Sequence, residues 1–184
     1  MISQSLYEKW AKRNPRFEKK YEDSLLRIFS DYGIGASETT SSKGKVFGAG
    51  YELFIIAFFI GLYSNTKREL TNNTKVLGQP IQFWGNLDSK KFRKAYPRLR
   101  EYIFVALVAK TDFDFIALEK GEIKEDEVIK QLINTMEEYA NYGFYLMEEK
   151  LEENSNYFYK NTGFLDVILA FTKSDKQNEE LEEL

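Results

Sequence analysis

Apolar residues in this chain recur mainly in steps of three and four, the spacing that places side chains on one face of an α-helix. The longest such series is Ile129, Leu132, Ile133, Met136, Ala140, Gly143 and Met147, which predicts a helix over 124–153. A second series, Phe17, Tyr21, Leu25, Ile28 and Tyr32, predicts a helix over 15–32. Asn14 suits its N-cap, Pro15 its first position, and Gly33 its C-terminal cap. Tyr51 to Ser64 is apolar nearly all round, as in a helix packed on several sides. Arg98 to Lys110 is a second strongly apolar helix. Tyr157 to Lys173 predicts a last one, with Phe164, Leu165, Ile168, Leu169 and Phe171 inward and Gly163 as a later starting point. Ser3 or Ser5 can cap a short helix through Arg13, with Leu6 and Trp10 on one face.

The segments between these helices are more polar. Gly35 to Gly50 is a loop rich in Ser, Thr and Gly. Thr66 to Leu87 is broken by Gly78, Pro80 and Gly85, and its apolar pieces fit a small hairpin near 76–84. Asp88 can cap a basic helix from Ser89 to Tyr96, which Pro97 interrupts. Thr111 to Glu122 connects, with room for one helical turn. The expected fold is all-α, a single domain over 1–173 with six or seven helices and an acidic, fraying tail at 174–184. The helices at 51–64, 98–110 and 157–173 are expected to supply most of the core, and those at 15–32 and 124–153 to cover it.

Composition narrows the chemistry. The 184 residues include 43% apolar and 16% aromatic residues, enough for a core, and neither cysteine nor histidine. Disulfides, Cys/His zinc sites and Cys–His or Ser–His nucleophilic pairs are excluded. Any general acid or base would have to be a shifted carboxylate, lysine or tyrosine. No cofactor or metal is expected. Met1 to Arg13 holds no long apolar stretch, so no signal peptide is expected. The longest apolar run, Leu53 to Tyr63, has eleven residues, whereas a membrane span needs about 20. A soluble cytoplasmic protein without membrane contact is the expectation.

Charge changes the picture most. The net value of −3 conceals 19 Lys and Arg against 10 Asp and Glu up to Lys110, then 7 against 19. Such asymmetry speaks to partners and assembly. Six cations, Lys90, Lys91, Arg93, Lys94, Arg98 and Arg100, fall within eleven residues and interleave with Phe92 and Tyr96. Cations that neutralise phosphates release condensed counterions, and nearby aromatics can stack on unpaired bases. A solvated basic helix has the same appearance.

Lys43 and Lys45, with Gly44, Gly48 and Gly50, precede the apolar helix at 51–64, where a loop could cradle an anion. No Walker or dinucleotide-binding pattern is present, and a tight connector fits equally. Asp112 and Asp114 could hold a magnesium ion on an extended segment, but they suit helix capping better, with Phe113 and Phe115 inward. Among Tyr139, Tyr142, Tyr145, Tyr157 and Tyr159, the pair Tyr142 and Tyr145 lies off the apolar stripe and is the best candidate for a partner contact. Acidic residues late in the helix at 124–153 oppose its dipole. The basic half of the same molecule, or that of another copy, could compensate them.

These observations favour a non-enzymatic binding or accessory protein that contacts nucleic acid or an acidic protein through its basic surface. A self-assembling subunit, a homo-oligomer held by opposed charges, is the alternative. An enzyme acting on a phosphorylated substrate through the 43–50 loop, with Glu52, Asp112 or Asp114, ranks third.

Overall fold

The computed structural model describes residues 5–33, 45–85 and 97–171. The chain is mainly helical, as the apolar spacing predicts. In chain order come α1 (Leu6–Ala11), β1 (Arg16–Glu18), a π-helical turn (Glu22–Leu26) and α2 (Arg27–Phe29). Next are α3 (Gly50–Tyr63), β2 (Thr74–Val76), a 3₁₀ turn (Ile81–Phe83), α4 (Pro97–Lys110), α5 (Phe115–Glu119) and α6 (Glu125–Glu153). A 3₁₀ turn (Tyr157–Tyr159) precedes a last helix, α7, described over 163–171, so the helix begins at Gly163. β1 and β2 form a two-stranded sheet. The β element expected near 76–84 thus exists, but its partner is remote in sequence. Gly78 (φ 95) and Pro80 turn the chain, and Ile81 to Phe83 closes into 3₁₀ geometry with Trp84 N–H donating to the Ile81 carbonyl.

The fold divides into two compact units. One comprises residues 1–16 and 75–137, the other 17–74 and 138–184. In the first, α1 begins with a reciprocal cap: the Ser5 hydroxyl accepts from Glu8 N–H, and the Glu8 carboxylate accepts from Ser5 N–H. Trp10 is fully buried and lies 5.4 Å from the Phe104 ring. Leu77, Ile81, Trp84, Ile103, Leu107, Val128, Ile129, Leu132 and Met136 complete this core. The Trp84 indole N–H donates to the Gln79 carbonyl at 2.9 Å, so its burial leaves no donor idle.

In the second unit α3 is the central helix, with Leu53, Phe54, Ala57, Phe58 and Ile60 fully enclosed. Tyr139, Ala140, Phe144 and Met147 of α6, together with Phe17, Tyr21, Leu25, Leu26, Phe29 and Phe158, pack in the same core. α3 and α6 meet at glycines. A Cβ at Gly61 would stand 2.0 Å from the Tyr139 carbonyl oxygen, and one at Gly143 would stand 1.9 Å from that of Ala57.

Three expectations are corrected. Residues 15–20 are not helical: Lys19 N–H donates to the Asn73 carbonyl, so backbone pairing there runs across the chain. Helical structure begins only at Tyr21, and Arg27 N–H reaches back five residues to Glu22. That wide turn rotates later residues backward, so Leu26 and Phe29 are buried and Ile28 is exposed. Second, α6 is a main core element, because its stripe buries side chains in both units. α4 buries only Ile103 and Leu107 among its described side chains, and Tyr102 and Val105 are each 64% exposed. Third, Leu165 and Leu169 of α7 face outward, while Val167 is buried; Phe115 is exposed because Asp114 caps α5 in a register that turns Ala117 inward.

Candidate anion-binding surface

Folding regroups the charges. The α6 acids of the first unit find cations from the start of the chain. Lys9 pairs with Glu125, and Arg13 Nη2 lies 2.8 Å from Asp126. Glu137, only 2% exposed, accepts Arg16 N–H at 2.7 Å and Arg16 Nη2 at 3.0 Å. In the second unit, Glu148 accepts Ser24 Oγ at 2.9 Å and Lys20 Nζ at 3.3 Å, and Glu153 takes Lys150 at 2.6 Å. Compensation within the same molecule therefore accounts for these carboxylates. Divided by unit, the charges are 15 Lys and Arg against 11 Asp and Glu in the first, and 11 against 18 in the second. The first unit keeps a net +4 and the second −7.

Of the basic segment, Lys90, Lys91, Arg93 and Lys94 lie outside the described residues. Arg98 is exposed on α4. Arg100 is half-buried, and its Nη1 donates to the Gln82 carbonyl. Among the described residues neither Arg98 nor Arg100 has a carboxylate partner. Arg100 lines a cleft of about 260 Å³ with Tyr7, Glu8, Ala11, Lys12 and Gln82. A larger cleft of about 460 Å³ is lined by Arg13, Arg16, Lys130 and Asn134 over Ile129 and Ile133, but Asp126 and Glu137 already occupy its arginines.

Lys43 and Gly44 also lie outside the described residues. Lys45 pairs with Asp31 at 3.4 Å, and the Val46 and Phe47 N–H groups donate to the Phe29 carbonyl. Gly48 N–H donates to Glu52 at 2.8 Å, so the first turn of α3 supplies its own anion. Gly50 has a packing role, since a Cβ there would meet the Tyr32 ring at 2.5 Å. Asp114 caps α5 through the N–H groups of Ile116 and Ala117. No carboxylate cluster suited to a metal occurs among the described residues. Tyr142 and Tyr145 are half-buried with rings 6.1 Å apart; Tyr145 hydrogen-bonds Glu149, and the Arg68 guanidinium lies 4.3 Å from its ring centre.

A buried polar network in the second unit has no forerunner in the pattern reading. Glu18, 3% exposed, accepts Thr71 N–H at 3.0 Å and Asn141 Nδ2 at 3.2 Å. Asn141 Nδ2 also reaches the carbonyls of Arg68 and Glu69. Tyr21, whose hydroxyl is buried without a hydrogen-bond partner, lies beside Lys20. Burial raises the Tyr21 pKa, with the nearby Glu18 charge adding to it against Lys20 and Arg68. Burial alone would lower Lys20, but attraction to Tyr21 and Glu148 outweighs it and raises the pKa. Glu18 and Asn141 stand 123 residues apart, so no local spacing could have paired them.

The chain matches no protein-family model, no curated protein and no solved structure. Among the described residues no helix is long and apolar enough to cross a membrane.

Proposed function

We propose that this protein is a non-enzymatic binding module whose basic segment, Lys90 to Arg100, contacts the backbone of a nucleic acid. The supporting observation is the unequal fate of its cations. Lys9, Arg13 and Arg16 are spent on α6 acids, whereas Arg98 and Arg100 have no carboxylate among the described residues and belong to a unit with a net +4. A surplus of this kind attracts polyanions at long range. Phe92 and Tyr96, between the cations, favour an unpaired strand over an acidic protein, because aromatic faces stack on bases.

The test is a binding assay with short single-stranded and duplex oligonucleotides at about 50 mM salt, where backbone contacts are strongest. The native protein binds, and a variant carrying Lys90→Glu, Lys91→Glu, Arg93→Glu and Lys94→Glu does not. Absence of binding to DNA and RNA under these conditions removes the reading. Binding to an acidic polypeptide instead would transfer the surface to a protein partner.

A further inference from the structure

The outer face of α4 sets an unpaired cation one helical turn from an uncovered ring. Steps of four, three and four bring Arg98, Tyr102, Val105 and Ala109 to one side of the helix, and all four are exposed. Ile103 and Leu107 are fully buried on the opposite side, so packing fixes the direction in which the stripe faces. Tyr102, 64% exposed, is the most exposed aromatic residue among the described residues. Among those residues it has no ring or hydrogen-bond partner, and Arg98 has no carboxylate.

We infer that this face is a stacking site for a base of a single-stranded nucleic acid, with Tyr102 under the base and Arg98 on the adjoining phosphate; the inference rests on the nucleic-acid reading above and carries the strand from the basic segment onto α4. Side chains four apart on a helix stand about 5–6 Å apart at Cβ, close to the span from phosphate to base within one nucleotide. An aromatic face stacks on any base, whereas the bases of a duplex are already stacked and paired, so the site selects an unpaired strand. Val105, 64% exposed in the next turn, extends the apolar surface under a following base. A docked protein helix would call for large anchors over two or more turns. Here the stripe starts with a cation and ends on the small Ala109, and its surplus charge suits a phosphate backbone. Glu101, the only acid in α4, is exposed on one flank of the stripe and repels the backbone there, so the strand crosses the other flank.

The experiment follows the ring signals of the full-length protein labelled with ¹³C-tyrosine, with Tyr102 assigned by its loss in Tyr102→Phe. An oligodeoxyadenylate of about 12 nucleotides, within the usual site size, is added at about 50 mM salt. The Tyr102 ring protons move upfield under the base, and an abasic sugar-phosphate strand of the same length moves them far less. Tyr102→Leu weakens binding about tenfold without changing its salt slope, and Tyr102→Phe, which keeps the ring, stays within about twofold of wild type. Arg98→Gln weakens binding and lowers the salt slope by about 0.7. Glu101→Gln tightens it. Binding that leaves wild-type Tyr102 unmoved, or moves it equally with the abasic strand, overturns the stacking site and leaves the basic-segment reading standing. Unchanged affinity in Tyr102→Leu does the same. Absence of any binding overturns both.

Discussion

Gly143 of α6 rests against the backbone of Ala57 in α3, so closely that a Cβ on the glycine would lie 1.9 Å from the Ala57 carbonyl oxygen. The obstacle is main chain, which cannot rotate aside as a flexible side chain can. Alanine in a helix interior is intrinsically favoured over glycine by about 1 kcal/mol. Overpacking of a tight core costs about 1–3 kcal/mol, occasionally more. Because the contact is with main chain, the upper end of that range applies, and Gly143→Ala destabilises by up to about 2 kcal/mol net in urea unfolding. A stabilised variant would show that the two helices can separate at little cost.

Asn141→Ala removes the amide that serves the Glu18 carboxylate and the carbonyls of Arg68 and Glu69. A charged acceptor and two carbonyls lose a donor in a buried setting, at a cost of about 2–3 kcal/mol. Asn141→Ala combined with Glu18→Gln should cost less than the two single changes added together, because they share one interaction. Strict additivity in thermal or urea melts would contradict the coupling.

The two faces of α4 should respond oppositely. Leu107→Ala empties a fully buried position and costs about 2–4 kcal/mol. Val105→Lys changes a residue that is 64% exposed and stays within about 0.5 kcal/mol of wild type. Equal losses from both would restore α4 to the enclosed role its composition suggests.

Stability should fall in alkali. Lys20, Tyr21, Tyr139, Tyr145 and Lys150 all hold their protons more tightly in the folded chain than in the unfolded one. The causes differ: burial for Tyr21 and Tyr139, a hydrogen bond to Glu149 for Tyr145, and one to Glu153 for Lys150. Raised values favour folding below the ordinary tyrosine and lysine range near pH 10, and the benefit is lost as pH rises through the folded values. The melting temperature is thus flat from these groups up to about pH 9 and drops beyond pH 10. Tyr21→Phe deletes a buried hydroxyl that has no acceptor, so it reduces the alkaline drop while leaving neutral stability unchanged or slightly higher.

Much of the architecture was legible because its causes are local. The Ile129–Met147 stripe marks α6, the unbroken apolar composition marks α3, and Gly163 marks the start of α7. Asp114 is found where its capping chemistry puts it. The failures have non-local causes. Phe17, Tyr21 and Leu25 keep helical spacing and are all buried, yet Phe17 lies in a strand, because Lys19 and Glu18 find partners at Asn73, Thr71 and Asn141. The π-helical turn that exchanges Ile28 for Phe29 includes the backbone bond from Arg27 to Glu22, a wide turn that periodicity cannot foresee. In α4 the apolar residues outnumber the positions that packing encloses. Of the candidate site, the cations were visible as a cluster. Their sorting into paired and unpaired was not, because Arg16 meets Glu137 across 121 residues of sequence.

The regrouped charges bear on how the protein behaves on ion-exchange resins. With a formal net charge of −3, the whole chain should bind an anion exchanger near neutral pH and ignore a cation exchanger. Its two units carry +4 and −7, however, and a resin bead senses the nearest part of a macromolecule before its average. The protein should therefore be retained on sulfonate as well as quaternary-amine media in dilute buffer, and should leave both as ionic strength rises.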